Sequence, residues 1–466
     1  MDLTPDLLAP GGIADYAQAL RQGVTSAASV TAAFLERIAE DNPALSAFTH
    51  IASEHALETA CGIDQLVRGR VDLGPLMGVP IALKDLYAAA GMPLAAGSRL
   101  DVSDVAPREG SLVRRLKRGG AIVLGKTRTT EFAFGTYNLS HPTPWNPCDA
   151  RTHRMPGGSS SGSAVALAAG LAPITFGSDT GGSVRLPAAL CGIAGFKATA
   201  GALPMDGVFP LSHTLDSPGW FAASARDLAQ VWQVLADAAV GAPRRVAGLR
   251  VGRPQSFFFD GLDAAVAHAM DASLAKLSAA GCRVIDVALP PASAMDAVFG
   301  AFLAAELVSF LGRERVTREL ENMDPLVRGR ILPGLGLTAS EYIGIQRELS
   351  ELARKAHAAI ADLDVVVTPT CPLPPLPVQA FDTPERAAGW TREALRFTRP
   401  FNMFGMCAVS LPVGHLGSGL PVGLQLVAQG GRDTALLGIA MAVESVIGTA
   451  PRAPTGHRRA PDSGHD

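Results

Sequence analysis

Short segments rich in β-forming residues alternate with longer segments of helical spacing along most of this chain, and that alternation restricts its fold more than any other feature. GVPIAL (78–83), AIVLGK (121–126), CRVIDV (282–287), DVVVTPT (364–370) and PVGLQLVA (421–428) read as strands. Around them, apolar residues recur at helical spacing over about 26–41, 50–68, 225–238, 264–280, 339–361 and 432–447, with Ser26 placed to cap the first of these. Strands alternating with helices predict an α/β fold around a largely parallel or mixed sheet.

The chain has 466 residues, enough for two or three average domains or for one large α/β unit. No internal repeat is visible, and no linker longer than a loop divides it. Residues 1–450 therefore read as one domain, followed by a polar tail rich in Pro and Gly, PRAPTGHRRAPDSGHD (451–466), expected to be flexible. Hydrophobic residues make up 48% and charged residues 18%, below the usual quarter or so, so much of the chain must lie in a core. A net charge of −3 with scattered basic residues gives no footprint for nucleic acid or for an anionic membrane surface. The first residues, MDLTPDLLAPGG, lack a basic stretch followed by an apolar one. No apolar run reaches the roughly 18 residues of a spanning helix, so a soluble, cytoplasmic protein is expected. The cysteines, Cys61, Cys148, Cys191, Cys282, Cys371 and Cys407, stand singly and read as reduced thiols. The histidines are equally dispersed, so neither a metal site nor a cofactor is expected.

Three short motifs match a pattern and fail its mechanism. GAIVLGKT (120–127) fits the phosphate-binding G-x-x-x-x-G-K-[ST], but its variable positions are themselves the strand, where a phosphate loop must follow one. GSSSG (158–162) fits the nucleophile elbow G-x-S-x-G centred on Ser160. The residues before it, NPCDARTHRMPG, read as a loop and not as the strand that an elbow requires. Ser273 and Lys276 form S-x-x-K on an alanine-rich helix, with neither of the companion motifs; an exposed helix face is expected there.

Two serine-bearing loops remain, GGSSSGSA (157–164) and GSDTGGSVRLPAAL (177–190). In DTGGSVR, consecutive glycines let backbone N–H groups turn toward one point just before Ser183, which is how an oxyanion hole forms without side chains. A serine there is a candidate nucleophile, and it needs a base. Lys84, at the end of the apolar strand in GVPIALKD, is a candidate, because desolvation drives lysine toward its neutral form. An ion pair with Asp85, or a charge in solvent at the strand end, is the alternative, and composition alone favours it.

These residues also carry a resemblance. GVPIALKD, GKTRTTEFAFG, the long run from NPCDARTHRMPGGSSSGS to CGIAGFKAT, and LDSPG resemble the successive blocks of the amidase signature family. The match is dense over 74–222 and thinner through DVVVTPTCPLPPLP and GLPVGLQLVA. Lys84 precedes Ser159 by 75 residues and Ser159 precedes Ser183 by 24, the separations of that family's Ser-Ser-Lys triad. The resemblance implies a single α/β domain with a large twisted mixed sheet covered by helices on both faces. It implies Ser183 as nucleophile, Ser159 as a bridging serine after a cis peptide from Gly158, and Lys84 as base. It further implies an oxyanion hole from the N–H groups of Thr180, Gly181, Gly182 and Ser183, supported by Asp179 and Arg185. Of the neighbouring serines, Ser161 and Ser163 read as capping or packing residues, and only Ser160 is added to the supports. The substrate pocket would draw on residues about 305–345 and on the neighbourhood of Phe401 and Asn402. Many members are homodimers.

The function that follows is hydrolysis of a small, neutral carboxylic amide through an acyl-enzyme, with release of ammonia or an amine. An alternative is the glutaminase-type A subunit of a tRNA-dependent amidotransferase, which needs partner chains; the stretch AGALPMDGVFPLSHTLDSPGW (200–220) departs from that subunit's blocks. A third reading is a hydrolase of a urea-derived amide working with a small partner chain.

Overall fold

The computed structural model describes residues 6–241, 244–291, 293–381, 383–415 and 419–448; the tail at 451–466, expected to be flexible, lies outside them. Among the described residues eleven strands form one mixed sheet: β1 Phe48–Ile51, β2 Pro80–Lys84, β3 Ile122–Thr127, β4 Ile174–Asp179, β5 Ala194–Lys197, β6 Ser217–Ala222, β7 Arg250–Pro254, β8 Arg283–Val287, β9 Val365–Pro369, β10 Cys407–His415 and β11 Pro421–Ala428. Their order is β1-β3-β2-β4-β6-β5-β10-β11-β9-β7-β8. β2 runs parallel to β3 and β4, β7 runs parallel to β8 and β9, and the remaining pairs are antiparallel.

Every residue of β2, β3, β4, β6, β9 and β11 is buried. Successive side chains of a strand point to opposite faces, so both faces of the sheet are covered here, which favours nearly continuous apolar runs. That is why β2, β3, β9 and β11 stand out in the sequence. β4 (ITFGSD) and β6 (SPGWFA) do not, because serine, glycine and proline interrupt them. The interruptions have a packing cause: a Cβ on Gly177 in β4 would stand 2.6 Å from Ser160 Oγ, so the glycine lets the neighbouring serine loop lie against the sheet.

The expected helices form within a few residues of their predicted spans, and Ser26 caps Ala27–Leu45 by accepting from the Ser29 N–H. That first helix runs past Pro43, and the segment expected to be helical from 50 opens with β1 before the helix Ser53–Arg68. The helices Asp296–Leu311, Pro325–Gly336 and Pro384–Ala394 are additional. The last two share a small apolar cluster, including Met155, Leu326 and Trp390, apart from the main core. Arg330 of the first of these and Thr391 of the second lie around one cavity with Thr180 and Ser183, beyond the carboxyl end of β4.

The phosphate-loop match is β3 itself, as its composition requires. Ser273 is not on an exposed face: it is buried, and its hydroxyl donates to the Ala269 carbonyl one turn back, while Lys276 donates to the Ile447 carbonyl.

Candidate active site

Lys84 is the last residue of β2 and Ser178 the fifth of β4; because the two strands are parallel and adjacent, their carboxyl ends meet. Lys84 has no exposed surface. Its Nζ lies 2.7 Å from Ser159 Oγ and 2.9 Å from Ser178 Oγ. Asp85 does not pair with it, contrary to the alternative that composition favoured; Asp85 pairs with Lys126 at 3.1 Å. Burial drives the Lys84 ammonium down to about 7, against the pull of Asp216 and Asp179. Asp216, itself pushed up to about 6 by burial, accepts from Thr180 Oγ1 at 2.5 Å. The amine is therefore in reach of neutrality near pH 7 and sits in contact with a hydroxyl.

Ser159 follows a cis peptide from Gly158, as the resemblance implies. Its loop abuts the Ser183 loop, with the Ser160 N–H donating to the Ser183 carbonyl at 3.3 Å. Ser160 precedes the helix Ser161–Ala168 without capping it; its hydroxyl donates to the Ser178 carbonyl at 3.3 Å. Ser163 packs in the same way, donating to the Phe176 carbonyl. The elbow serine is thus tied to the sheet, while the Ser183 hydroxyl makes no hydrogen bond among the described residues and faces a cavity.

Asp179 and Arg185 form a fully buried ion pair at 2.8 Å that braces the Ser183 loop from behind. Burial would push the Asp179 carboxyl up. The adjoining Arg185 guanidinium outweighs it, with Lys197 and the Asn402 amide assisting, and holds the group well below the usual carboxylate range. One carboxylate oxygen accepts from the Gly182 N–H at 2.8 Å and from Asn402 Nδ2 at 2.8 Å. The other accepts from the N–H groups of Val184 and Arg185. Arg185 donates onward to the Thr398 carbonyl and to Gln425 Oε1.

This bracing corrects one expectation. The Gly182 N–H is spent on Asp179, so of the proposed oxyanion donors only those of Thr180, Gly181 and Ser183 lack a protein acceptor among the described residues. Gly182 matters in another way. Its φ is +132°, and a Cβ there would lie 2.0 Å from Thr398 Oγ1, so the turn admits no side chain.

Thr180, Gly181 and Ser183 line a cavity of about 410 Å³, walled by apolar residues that include Phe134, Phe299 and Leu395. Its walls come from the helix Asp296–Leu311, from Arg330 and from residues 388–399. Phe401 and Asn402, expected in the lining, are buried behind it. Phe401 stacks on Phe258, and Asn402 holds Asp179. Ser178 and Asp216 are the neighbours of Lys84 that residue-type reasoning missed. Both stand inside the matched blocks, but neither has a pattern of its own.

On this α/β sheet a buried lysine bonded to a serine thus lies beside a cavity-facing serine in a glycine-rich loop. The sequence profile of the family described as Amidase matches residues 29–437, and the chain belongs to that family, whose enzymes act on C–N bonds. It is 37% identical to a 2-amino-5-chloromuconic acid deaminase of Comamonas testosteroni, over 94% of this chain and 96% of that protein. It is 34% identical to the A subunit of a glutamyl-tRNA(Gln) amidotransferase of Thioalkalivibrio sulfidiphilus (strain HL-EbGR7), over 95% and 99%. A crystal structure of an amidase superposes with a TM-score of 0.84 at 30% identity, covering 93% of this chain and 99% of that one. Among the described residues, no helix is long and apolar enough to cross a membrane.

Proposed function

We propose that the chain hydrolyses the C–N bond of a small carboxylic amide through an ester on Ser183. The observation that carries this reading is the contact of fully buried Lys84 with Ser159, at 2.7 Å, beside a serine that opens onto a cavity. Neutral Lys84 takes the proton of Ser159 as Ser159 takes that of Ser183, and Ser183 Oγ bonds to the carbonyl carbon. The N–H groups of Thr180, Gly181 and Ser183 receive the oxyanion, each well-placed donor being worth about 3 kcal/mol. The C–N bond then breaks as the proton returns through Ser159 to the leaving nitrogen. Water repeats the sequence on the ester to release the acid and free Ser183.

The six cysteines are unpaired, which fits a reducing cytoplasmic setting. A panel of aliphatic, aryl, amino-acid and urea-type amides, assayed for ammonia or amine release, tests the reading: Ser183→Ala abolishes turnover, and wild-type turnover in that variant overturns it. The relation to the amidotransferase supports a second reading, glutamine hydrolysis coupled to partner chains. Activity on glutamine alone, dependent on added partners, would select it.

A further inference from the structure

The wall of the cavity facing Ser183 is richer in positive than in negative charge. Arg330, Arg392, Arg396 and Arg399 line it against two carboxylates, Asp296 and Glu393. Arg399 is paired with Asp296 at 2.7 Å and Arg396 with Glu393 at 3.2 Å. Among the described residues Arg330 and Arg392 have no ion-pair partner. Arg392 is exposed, but Arg330 is half-buried and fixed. Its Nη1 donates to the Phe134 carbonyl at 2.6 Å and its Nη2 to Thr391 Oγ1 at 3.2 Å, and Thr391 is held in turn by Thr136 at 2.8 Å. Gly135 makes room for the guanidinium: its φ is +127°, and a Cβ there would lie 2.0 Å from Arg330 Nη1.

Two neutral acceptors thus orient Arg330, leaving further N–H groups of its planar fork available to a ligand. The neighbouring Asp324 carboxylate supports that charge without pairing with it directly, its oxygens accepting from the N–H groups of Leu139, Ser140 and Leu326. Burial weakens the charged form, down to about 10, so the group keeps its charge at neutral pH while no carboxylate among the described residues pairs with it directly. A positioned, partly desolvated guanidinium with spare donors in a substrate cavity has the chemistry of a carboxylate receptor.

We infer that the substrate of this cavity is anionic, carrying a carboxylate distal to its scissile C–N bond, and that Arg330 receives that carboxylate. The inference rests on the hydrolase reading above and replaces the neutral amide expected from sequence.

The test compares amides matched in shape. Succinamate and glutaramate are assayed against 4-methylpentanamide and 5-methylhexanamide, in which an isopropyl group stands for the carboxylate. The wild type is expected to favour the anionic member in kcat/KM by at least about tenfold, and Arg330→Gln to lower that ratio by about the same factor, mainly through KM. Arg330→Lys restores part of it, and added salt weakens it. Thermal unfolding of each variant reports whether the fold is kept. Glutarate binding, followed by calorimetry, needs no turnover: it is expected in the wild type and in Ser183→Ala, and to be lost in Arg330→Gln. Turnover of the neutral amides without anionic preference, or an equal loss for both members in Arg330→Gln, overturns the inference and leaves the hydrolase reading standing. Absence of all amide turnover overturns the hydrolase reading, and glutarate binding then decides the role of Arg330, its absence in the wild type overturning it.

Discussion

Exchanging Lys84 for methionine keeps an unbranched side chain of similar length in the buried slot between β2 and β4 and removes the amine. A fall of the ammonium from 10.5 to about 7 by burial disfavours the charged form by about 5 kcal/mol, at about 1.4 kcal/mol per pH unit. Two consequences follow, with fixed signs. For activity, the base works only when neutral, so wild-type kcat/KM should climb about tenfold per pH unit below pH 7 and level off above it. Lys84→Met should lose roughly 10²- to 10⁴-fold in rate together with that acid limb. For stability, the unfolded lysine titrates near 10.5 and the folded one near 7. The unfolded chain therefore holds the extra proton between those values, and stability rises with pH across that window. The full penalty is present below pH 7. Removing Lys84 lifts it, less about 1 kcal/mol for each hydroxyl left unpaired at Ser159 and Ser178. Urea denaturation of both proteins at pH 6 and pH 10 reads the effect as a difference of differences, in which other titrating groups cancel. Lys84→Met should gain several kcal/mol more over wild type at the lower pH, in line with the penalty above. A wild-type rate flat down to pH 5, an acid limb that survives in Lys84→Met, or a variant less stable than wild type at pH 6 would refute the reasoning.

Two further substitutions probe the loop behind Ser183. Arg185→Met leaves the Asp179 carboxylate buried without its partner, so a loss of about 3 to 5 kcal/mol is expected in thermal or urea unfolding; a loss under about 1 kcal/mol would show that the pair does not brace the loop. Gly182→Ala forces a Cβ toward Thr398 and a side chain onto a left-handed backbone, at about 1 to 3 kcal/mol or more. Its kcat should fall with KM little changed, since the turn carries the oxyanion donors, and unaltered kcat would count against that placement.

Much of the legible part of this protein was set by burial, although the β-branched edge strand β8 was read with most of its residues outside the core. A strand covered on both faces favours a nearly continuous apolar run, so β2, β3, β9 and β11 were visible in the sequence, and Lys84 could be placed at a strand end. β4 and β6 were not, because their glycines and serines answer to the helix and loops lying on them, a requirement that comes from residues distant in sequence. For the same reason Lys84 read by composition as a charge paired with Asp85, whereas Lys126, on the adjacent strand β3, takes that carboxylate. The glycines of DTGGS foretold turned N–H groups, but not that Asp179 would claim the one on Gly182. The cavity wall was least legible. Arg330 and residues 388–399 meet there through tertiary packing of helices that carry no local motif, so the charge around the substrate emerges only in the folded chain.

The central claim is that Ser183 carries the acyl group. Acid quenching during turnover of an ester or anilide substrate, followed by mass spectrometry of the digested protein, measures this directly. The expected result is an added acyl mass on the peptide containing Ser183, absent in Ser183→Ala and slower to form in Lys84→Met. An adduct on Ser160 or Ser159, or full turnover with no covalent adduct at any serine under conditions that make deacylation rate-limiting, would contradict the account.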